Sequence, residues 1–344
     1  MPSVKRIAIY ALTRKGLELA EKLASNLDGT VYASARFAEG RKVRSFESLP
    51  TLVTETFSQF DGHVFVAAAG IVVRCIAPHL QSKETDPAVV CLDQKGRFAV
   101  SLLSGHLGGG NELATRCANI TGGLPVVTTA TDSAGIVSMD MLAQSKGLTI
   151  GNIDRVKVVN GALLDKKTVQ VFDPADYLGL RGNELFSVVT QDEWVPNEPG
   201  VWVSWRENCP DERALRLYPQ VLMLGVGCRR GIPCKEISAH IYNVLDAANL
   251  SLKSIGGLGS IDAKSDEVGM LEAASALGVE PTFYPKEALD KVEAPNPSGT
   301  VMRRMGVGSV SEAAALLLSN GGELLVEKTK TKTVTLAVAR RRIC

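Results

Sequence analysis

Leu102–Ala114 reads LLSGHLGGGNELA, and the order of residue types in it decides how the surrounding chain folds. Phe98–Leu103 is an apolar run of strand length, and Asn111–Thr121 places Leu113, Ala114, Cys117 and Ile120 on one helical stripe. A strand that passes through a glycine turn into a helix is the building unit of an α/β sheet. The turn carries Ser104, His106, Gly108, Gly109, Gly110, Asn111 and Glu112. The amides and dipole of a helix N-terminus favour anions, and glycines let a ligand come close to the backbone. The same residues also suit a plain helix entry, with Ser104 or Asn111 as the cap and the glycines making the turn. A histidine set between Ser104-Gly105 and a glycine triplet favours a site.

Outward from this turn, Val4–Tyr10 reads as a strand, Arg14–Leu27 as a helix and Thr30–Ala33 as a strand, followed by a polar connection to Phe60. Val64–Ala69 is a fully apolar strand that leads through Gly70 into a helical segment ending near Ile76. Continuous Val and Ala strands, each followed by a helix, imply a parallel sheet covered on both faces. Val89–Leu92 and Arg97–Leu103 flank Gln94-Lys95-Gly96 as a hairpin or as neighbouring strands. Val126–Thr129 closes the unit, and Asp132 ends that strand at the edge where open α/β sheets bind ligands.

From Ser138 the texture changes. After a helix at Met139–Lys146, the segments Val156–Val159, Thr168–Phe172, Phe186–Val189 and Val201–Trp205 read as short strands between Pro, Gly and Asp turns, and all three tryptophans fall here. From Val221 the α/β alternation returns, with a helix after Pro233 and strands at Ile255–Ile261 and Val334–Ala339. The expected architecture is α/β: two α/β/α domains with parallel or mixed sheets, residues 1–137 and 219–344, flanking a smaller β-rich middle module, residues 138–218.

Composition narrows the function. The 38 basic and 37 acidic residues nearly cancel, which argues against nucleic acid or a membrane surface as the main partner. No apolar run is long enough to cross a bilayer and the start has no signal-peptide pattern, so the expectation is a soluble, cytoplasmic protein. The seven cysteines are scattered without a C-x-x-C pair, and the four histidines lack two-on-one-face spacing. No metal held by the protein is expected. Gly225–Gly231 follows a strand and precedes a helix, but its G-x-G-x-x-x-G spacing is not a dinucleotide fingerprint. Arg229 and Arg230 in that turn suit carboxylates, and they equally suit an exposed helix entry.

Gly70-Ile71-Val72-Val73-Arg74, Thr85-Asp86-Pro87, Gly96-Arg97-Phe98, Leu102–Leu113 and Thr128–Asp132 together resemble the N-terminal region of the CbiG family of cobalamin biosynthesis. Gly225–Gly231, Ser260–Lys264, Pro295–Ser298, Gly308-Ser309-Val310, Glu312-Ala313-Ala314 and Lys328-Thr329-Lys330 resemble its C-terminal domain. The resemblance implies a cobalt-precorrin-5A hydrolase activity, in which a δ-lactone opens and a two-carbon unit leaves a ring-contracted macrocycle as acetaldehyde. It also implies that the cobalt belongs to the tetrapyrrole substrate, with no cofactor bound by the protein. A non-catalytic corrinoid carrier or chaperone is the competing reading, and homodimer assembly is left open.

Within that reading His106 is the first choice of base, because an imidazole titrates near neutrality. Glu112 and Asp86 are its rivals, each with a plainer role: Glu112 against the helix dipole, Asp86 in a turn before Pro87. Asp132 completes the catalytic candidates. Amides near Gly108, Gly109 and Gly110 would stabilise the oxyanion. Substrate binding would fall to Arg74, Arg97, Ser104, Asn111, Arg229, Arg230, Asp262 and Lys264, the arginines holding carboxylates and Lys264 orienting a carboxylate or polarising the lactone carbonyl.

Overall fold

Ile7–Ala11 (β1) is buried at every position, and a strand of this kind must be covered on both faces. Alternation sends Ile7, Ile9 and Ala11 to one face and Ala8 and Tyr10 to the other, where each set joins a separate core cluster. The computed structural model describes residues 4–82, 85–106, 108–133, 135–296 and 309–342, with only the backbone described for Asp132 and Ser133. Two units divide the chain, Met1–Met141 and Leu142–Cys344.

In the first unit β1 is followed by α1 (Arg14–Leu27), β2 (Thr30–Ser34), α2 (Ala35–Ala38), β3 (Arg44–Phe46), α3 (Leu49–Thr56), β4 (Gly62–Val66) and α4 (Ala69–Ile76). Then come β5 (Ala88–Leu92), β6 (Phe98–Leu103), α5 (Gly110–Thr121), β7 (Leu124–Val126), α6 (Ala130–Ser133) and α7 (Met139–Ser145). The sheet order is β3-β2-β1-β4-β5-β6-β7. Every pairing is parallel except β5 with β6. Leu17, Leu23, Leu113 and Cys117 bring α1 and α5 onto one face, and Leu52, Val53, Val72 and Cys75 bring α3 and α4 onto the other. This is the expected three-layer α/β/α arrangement. The α1 boundaries fall where the sequence puts them because Thr13 caps the helix, its side chain accepting from Gly16 N at 3.0 Å, and Asp28 ends it in the left-handed region.

β3 and α3 fill the stretch expected to be a polar connection. Ser48 caps α3 and Pro50 lies in its first turn, a helix-start signal present in the sequence.

The second unit opens with a sheet of order β10-β9-β11-β12-β8, built from β8 (Leu148–Ile150), β9 (Val169–Phe172), β10 (Phe186–Val188), β11 (Gly200–Val203) and β12 (Leu215–Pro219). Val156–Val159 is not a strand. It lies in α8 (Asp154–Leu164), which buries Val156, Val159, Ala162 and Leu163 at helical spacing. A run of valines raised the strand expectation, and the 3.6-residue period of the buried positions overrode it. Trp202 stacks on Phe172 with ring centroids 3.9 Å apart, and Trp194 meets it edge-on.

A third sheet, order β15-β14-β13-β17-β16, is formed by β13 (Leu222–Cys228), β14 (Ile255–Ile261), β15 (Pro281–Tyr284), β16 (Glu323–Lys330) and β17 (Val334–Arg340). Its helices are α9 (Cys234–Ala247), α10 (Val268–Ala276), α11 (Lys286–Asp290) and α12 (Val310–Leu318). Gly225 belongs to packing: a Cβ there would lie 1.8 Å from the Ser311 carbonyl oxygen of α12.

One core group sets a pH response. His63 on β4 is fully buried, with Tyr10 OH 2.9 Å from Nδ1 and the Phe57 carbonyl 3.1 Å from Nε2. Burial pushes its pKa down from 6.5 to about 4. Between these values the unfolded chain binds the proton and the folded chain does not, so stability is full above pH 6.5 and declines as pH falls toward 4. The loss at the acid end is about 3 kcal/mol. Amide exchange in β1 and β4, corrected for intrinsic rates, should show protection falling between about pH 6.5 and pH 4, and this dependence should vanish in His63→Gln.

Candidate functional site

The chain leaves β6 by a left-handed residue. Ser104 has φ +52°, uncommon for a residue with a side chain, and its hydroxyl donates to the Asp86 carbonyl at 2.8 Å. The loop then folds back on itself: the amides of Gly110, Asn111 and Gly109 donate to the carbonyls of Ser104, Gly105 and His106 at 2.9, 2.9 and 2.8 Å. Of the amides expected to face an anion, those of Gly109 and Gly110 serve the loop's own carbonyls. The glycines are required by close packing. A Cβ on Gly108 would lie 2.3 Å from Ser104 Cβ, one on Gly110 would lie 2.5 Å from the Leu103 carbonyl oxygen, and Gly109 has φ +80°.

This tight loop holds the His106 imidazole between two groups from elsewhere in the unit. Nε2 is 3.2 Å from Thr131 Oγ1, and Nδ1 is 3.4 Å from Asp140 Oδ2. Thr131 and Asp140 are both 5% exposed, whereas the His106 side chain keeps 22% of its surface. With Asp140 on Nδ1, the proton of neutral imidazole sits on that nitrogen and Nε2 becomes the acceptor. Asn111 Nδ2 donates to Thr129 Oγ1 at 3.1 Å, tying the start of α5 to the segment that presents Thr131.

The rival bases are placed otherwise. Asp86 is nearly buried, and both its carboxylate oxygens accept from Gln81 N at 3.0 and 3.1 Å, a turn-holding role. Glu112 is exposed in the first turn of α5, where it complements the helix dipole. Glu112→Gln should leave turnover within about twofold, and steady-state rates check this. Asp132 lies in the one-turn helix α6 and does not end a strand; its side chain is outside the described residues.

Strand direction separates the remaining candidates. β5 and β6 run antiparallel with Val89 opposite Leu103, so the His106 loop lies at the end of the sheet where β5 begins and β6 and β7 finish. Arg74 and Arg97 belong to the other end. There Leu12, Ala68, Ile71, Phe98, Val100 and Val126 are among the residues lining an apolar cleft of about 710 Å³, at the switch point between β1 and β4 where open α/β sheets bind ligands. Arg74 donates to the Gly70 carbonyl at 2.9 Å, and Arg97 pairs with Asp93 at 3.6 Å beside the Phe98 ring. Phe98 and Val100 share one face of β6 by strand alternation and line the cleft, and a register shift opposite Val89 and Val90 interrupts the alternation before Leu103.

In the second unit Arg229, Arg230, Asp262 and Lys264 gather at the carboxyl ends of β13 and β14. Arg229 and Asp262 are exposed. Arg230 pairs with Asp266 at 2.9 Å. Lys264 is buried, its Nζ 3.2 Å from Glu267 Oε2, so its charge is already matched inside the fold. Glu312 is fully buried and accepts from Asn296 N, Asn296 Nδ2 and Lys328 N at 3.1, 2.9 and 3.0 Å. Burial opposes its ionisation, and these hydrogen bonds outweigh it, holding the carboxyl below its ordinary range. Lys328 Nζ contacts the Asn296 carbonyl and Ser309. Pro297, Ser298 and Gly308 lie outside the described residues.

Sequence reasoning missed Thr131 and Asp140 as site residues. Thr131 stood in a quoted motif without a role, and Asp140 carried only the signal of an acid in the first turn of a helix.

The first unit is thus an α/β sheet domain whose loop sets an imidazole between a carboxylate and a hydroxyl. The description Cobalamin synthesis G N-terminal matches residues 51–132, Cobalamin biosynthesis central region 137–219 and Cobalamin synthesis G C-terminus 222–339. The chain is 33% identical to a cobalt-precorrin-5A hydrolase of Priestia megaterium over 96% of this chain and 94% of that protein, and 34% identical to one of Salmonella typhimurium over 97% of each. A solved structure of a putative cobalamin biosynthesis protein G homolog from Sulfolobus solfataricus matches with 22% identity, coverage of 98% of both chains and a TM-score of 0.39. The chain belongs to the CbiG family. Among the described residues no helix is long and apolar enough to cross a membrane.

Proposed function

We propose that this chain is a cobalt-precorrin-5A hydrolase, opening the δ-lactone of a ring-contracted cobalt tetrapyrrole and releasing acetaldehyde. Similarity to hydrolases of this name over nearly their whole length carries the reading. It disfavours a non-catalytic corrinoid carrier. The cobalt travels with the substrate.

The chemistry is assigned to His106. With its Nδ1 proton directed at Asp140, Nε2 accepts a proton as an oxygen nucleophile bonds to the lactone carbonyl carbon. The acyl C–O bond then breaks and the imidazolium returns the proton to the departing ring oxygen. When the freed hydroxyl loses its proton, its carbon leaves as acetaldehyde and the C–C bond pair passes into the conjugated macrocycle. The apolar face of β6 and its cleft suit one face of the macrocycle, and Arg74 and Arg97 at the same end of the sheet suit its carboxylates. Incubating the purified chain with cobalt-precorrin-5A and measuring acetaldehyde by enzyme-coupled reduction tests the reading. One equivalent per substrate consumed is expected; substrate binding without acetaldehyde would refute it.

A further inference from the structure

The nucleophile that His106 activates need not be water, because a side-chain hydroxyl already occupies the acceptor nitrogen. Thr131 Oγ1 lies 3.2 Å from Nε2 while Asp140 Oδ2 lies 3.4 Å from Nδ1. The three groups come from separate elements: His106 from the β6–α5 loop, Thr131 from α6 and Asp140 from the first turn of α7. A hydroxyl bonded to an imidazole whose far nitrogen faces a carboxylate is the arrangement that turns a weak nucleophile into a competent one. The hydroxyl is shielded and the imidazole beside it keeps an open surface, so a ligand reaching Thr131 approaches along the histidine and displaces water as it docks. The strained Ser104 and the self-bonded glycine loop fix the ring's position.

We propose that Thr131 is the nucleophile of lactone opening and forms a covalent ester with the substrate acyl group through Oγ1; this rests on the hydrolase reading above. His106 Nε2 takes the Thr131 hydroxyl proton as Oγ1 bonds to the lactone carbonyl carbon. The acyl bond to the ring oxygen breaks, and the imidazolium protonates that oxygen. The macrocycle is then tethered to Thr131 with its hydroxyl free, so acetaldehyde departs from a substrate that cannot diffuse away. Water, deprotonated by the same nitrogen, next attacks the ester carbonyl carbon. The bond to Oγ1 breaks, the threonine regains its proton and the carboxylate leaves.

The test treats the full-length protein with an alkyl β-lactone, a strained probe that acylates activated hydroxyls, followed by peptide mapping by mass spectrometry. Acetaldehyde release and substrate binding are measured on the same preparations. Expected are an adduct on Thr131 in the wild type, no adduct in His106→Ala, and an approximately 100-fold or greater loss of release in Thr131→Val with substrate binding retained, whereas Thr131→Ser keeps both labelling and release. Release by Thr131→Val within about twofold of wild type overturns the proposal. So does a wild type labelled elsewhere or not at all, or a Thr131→Ser as inactive as Thr131→Val, since each leaves Thr131 a positioning role. A wild type that binds cobalt-precorrin-5A and releases no acetaldehyde refutes the hydrolase reading instead, and His106-dependent labelling still reports the nucleophile.

Discussion

With His106 replaced by alanine, acetaldehyde release should fall by about 10²–10⁴-fold, the range contributed by a positioned general base. On the proposed assignment the substitution removes the nitrogen that takes and returns the proton in lactone opening, and that nitrogen acts only as the reaction proceeds. The effect therefore belongs in kcat, with KM and substrate binding nearly unchanged. The loop should survive it. The Gly109 amide uses the His106 carbonyl, and the Gly110 and Asn111 amides use the carbonyls of Ser104 and Gly105, none of which alanine removes. Steady-state rates together with absorbance titration of the bound tetrapyrrole check both halves.

Asp140→Asn should cost about 10²-fold or more in kcat at unchanged substrate binding. The side chain is nearly isosteric, so the contact 3.4 Å from His106 Nδ1 stays occupied. What changes is the proton bookkeeping. A carboxylate can only accept, so it fixes the Nδ1–H form and leaves Nε2 free to act as base; an amide can also donate, and turning its NH₂ toward Nδ1 moves the imidazole proton to Nε2. The carboxylate also stabilises the imidazolium formed in the reaction, which an amide does only weakly. Asp140→Glu keeps the charge at an altered reach and should recover part of the loss. A deficit in KM instead would mean that Asp140 shapes the binding surface without orienting the base.

The sheet architecture was legible because its strands announce themselves. Val64-Phe65-Val66 and Val89–Leu92 are apolar at every position, which only a doubly covered sheet explains, and α1 and α5 show their buried stripes directly. Val156–Val159 misled because β-branched residues favour strands locally, while the packing of Val156, Val159 and Leu163 at helical spacing decides the matter in the fold. His106 was legible as an odd residue in a glycine loop. Its partners were not, since a sequence states neither that Thr131 and Asp140 are buried nor that α6 and the start of α7 return to the β6 terminus. Strand direction was equally hidden. The antiparallel β5–β6 pair puts Arg97 and His106 at opposite ends of the sheet although nine positions of chain separate them, so candidates that the sequence groups as one site divide between the two ends. The amides of Gly109 and Gly110 show the same limit, because their partners are carbonyls of the loop itself.

The most direct measurement is a single turnover of excess enzyme with cobalt-precorrin-5A, acid-quenched over time, with the recovered tetrapyrrole analysed by mass spectrometry. The account predicts that wild type converts the lactone to the deacetylated product, while His106→Ala binds the same substrate and returns it with the lactone closed. Lactone opening by His106→Ala at the wild-type rate would contradict the assignment of the reaction to this centre.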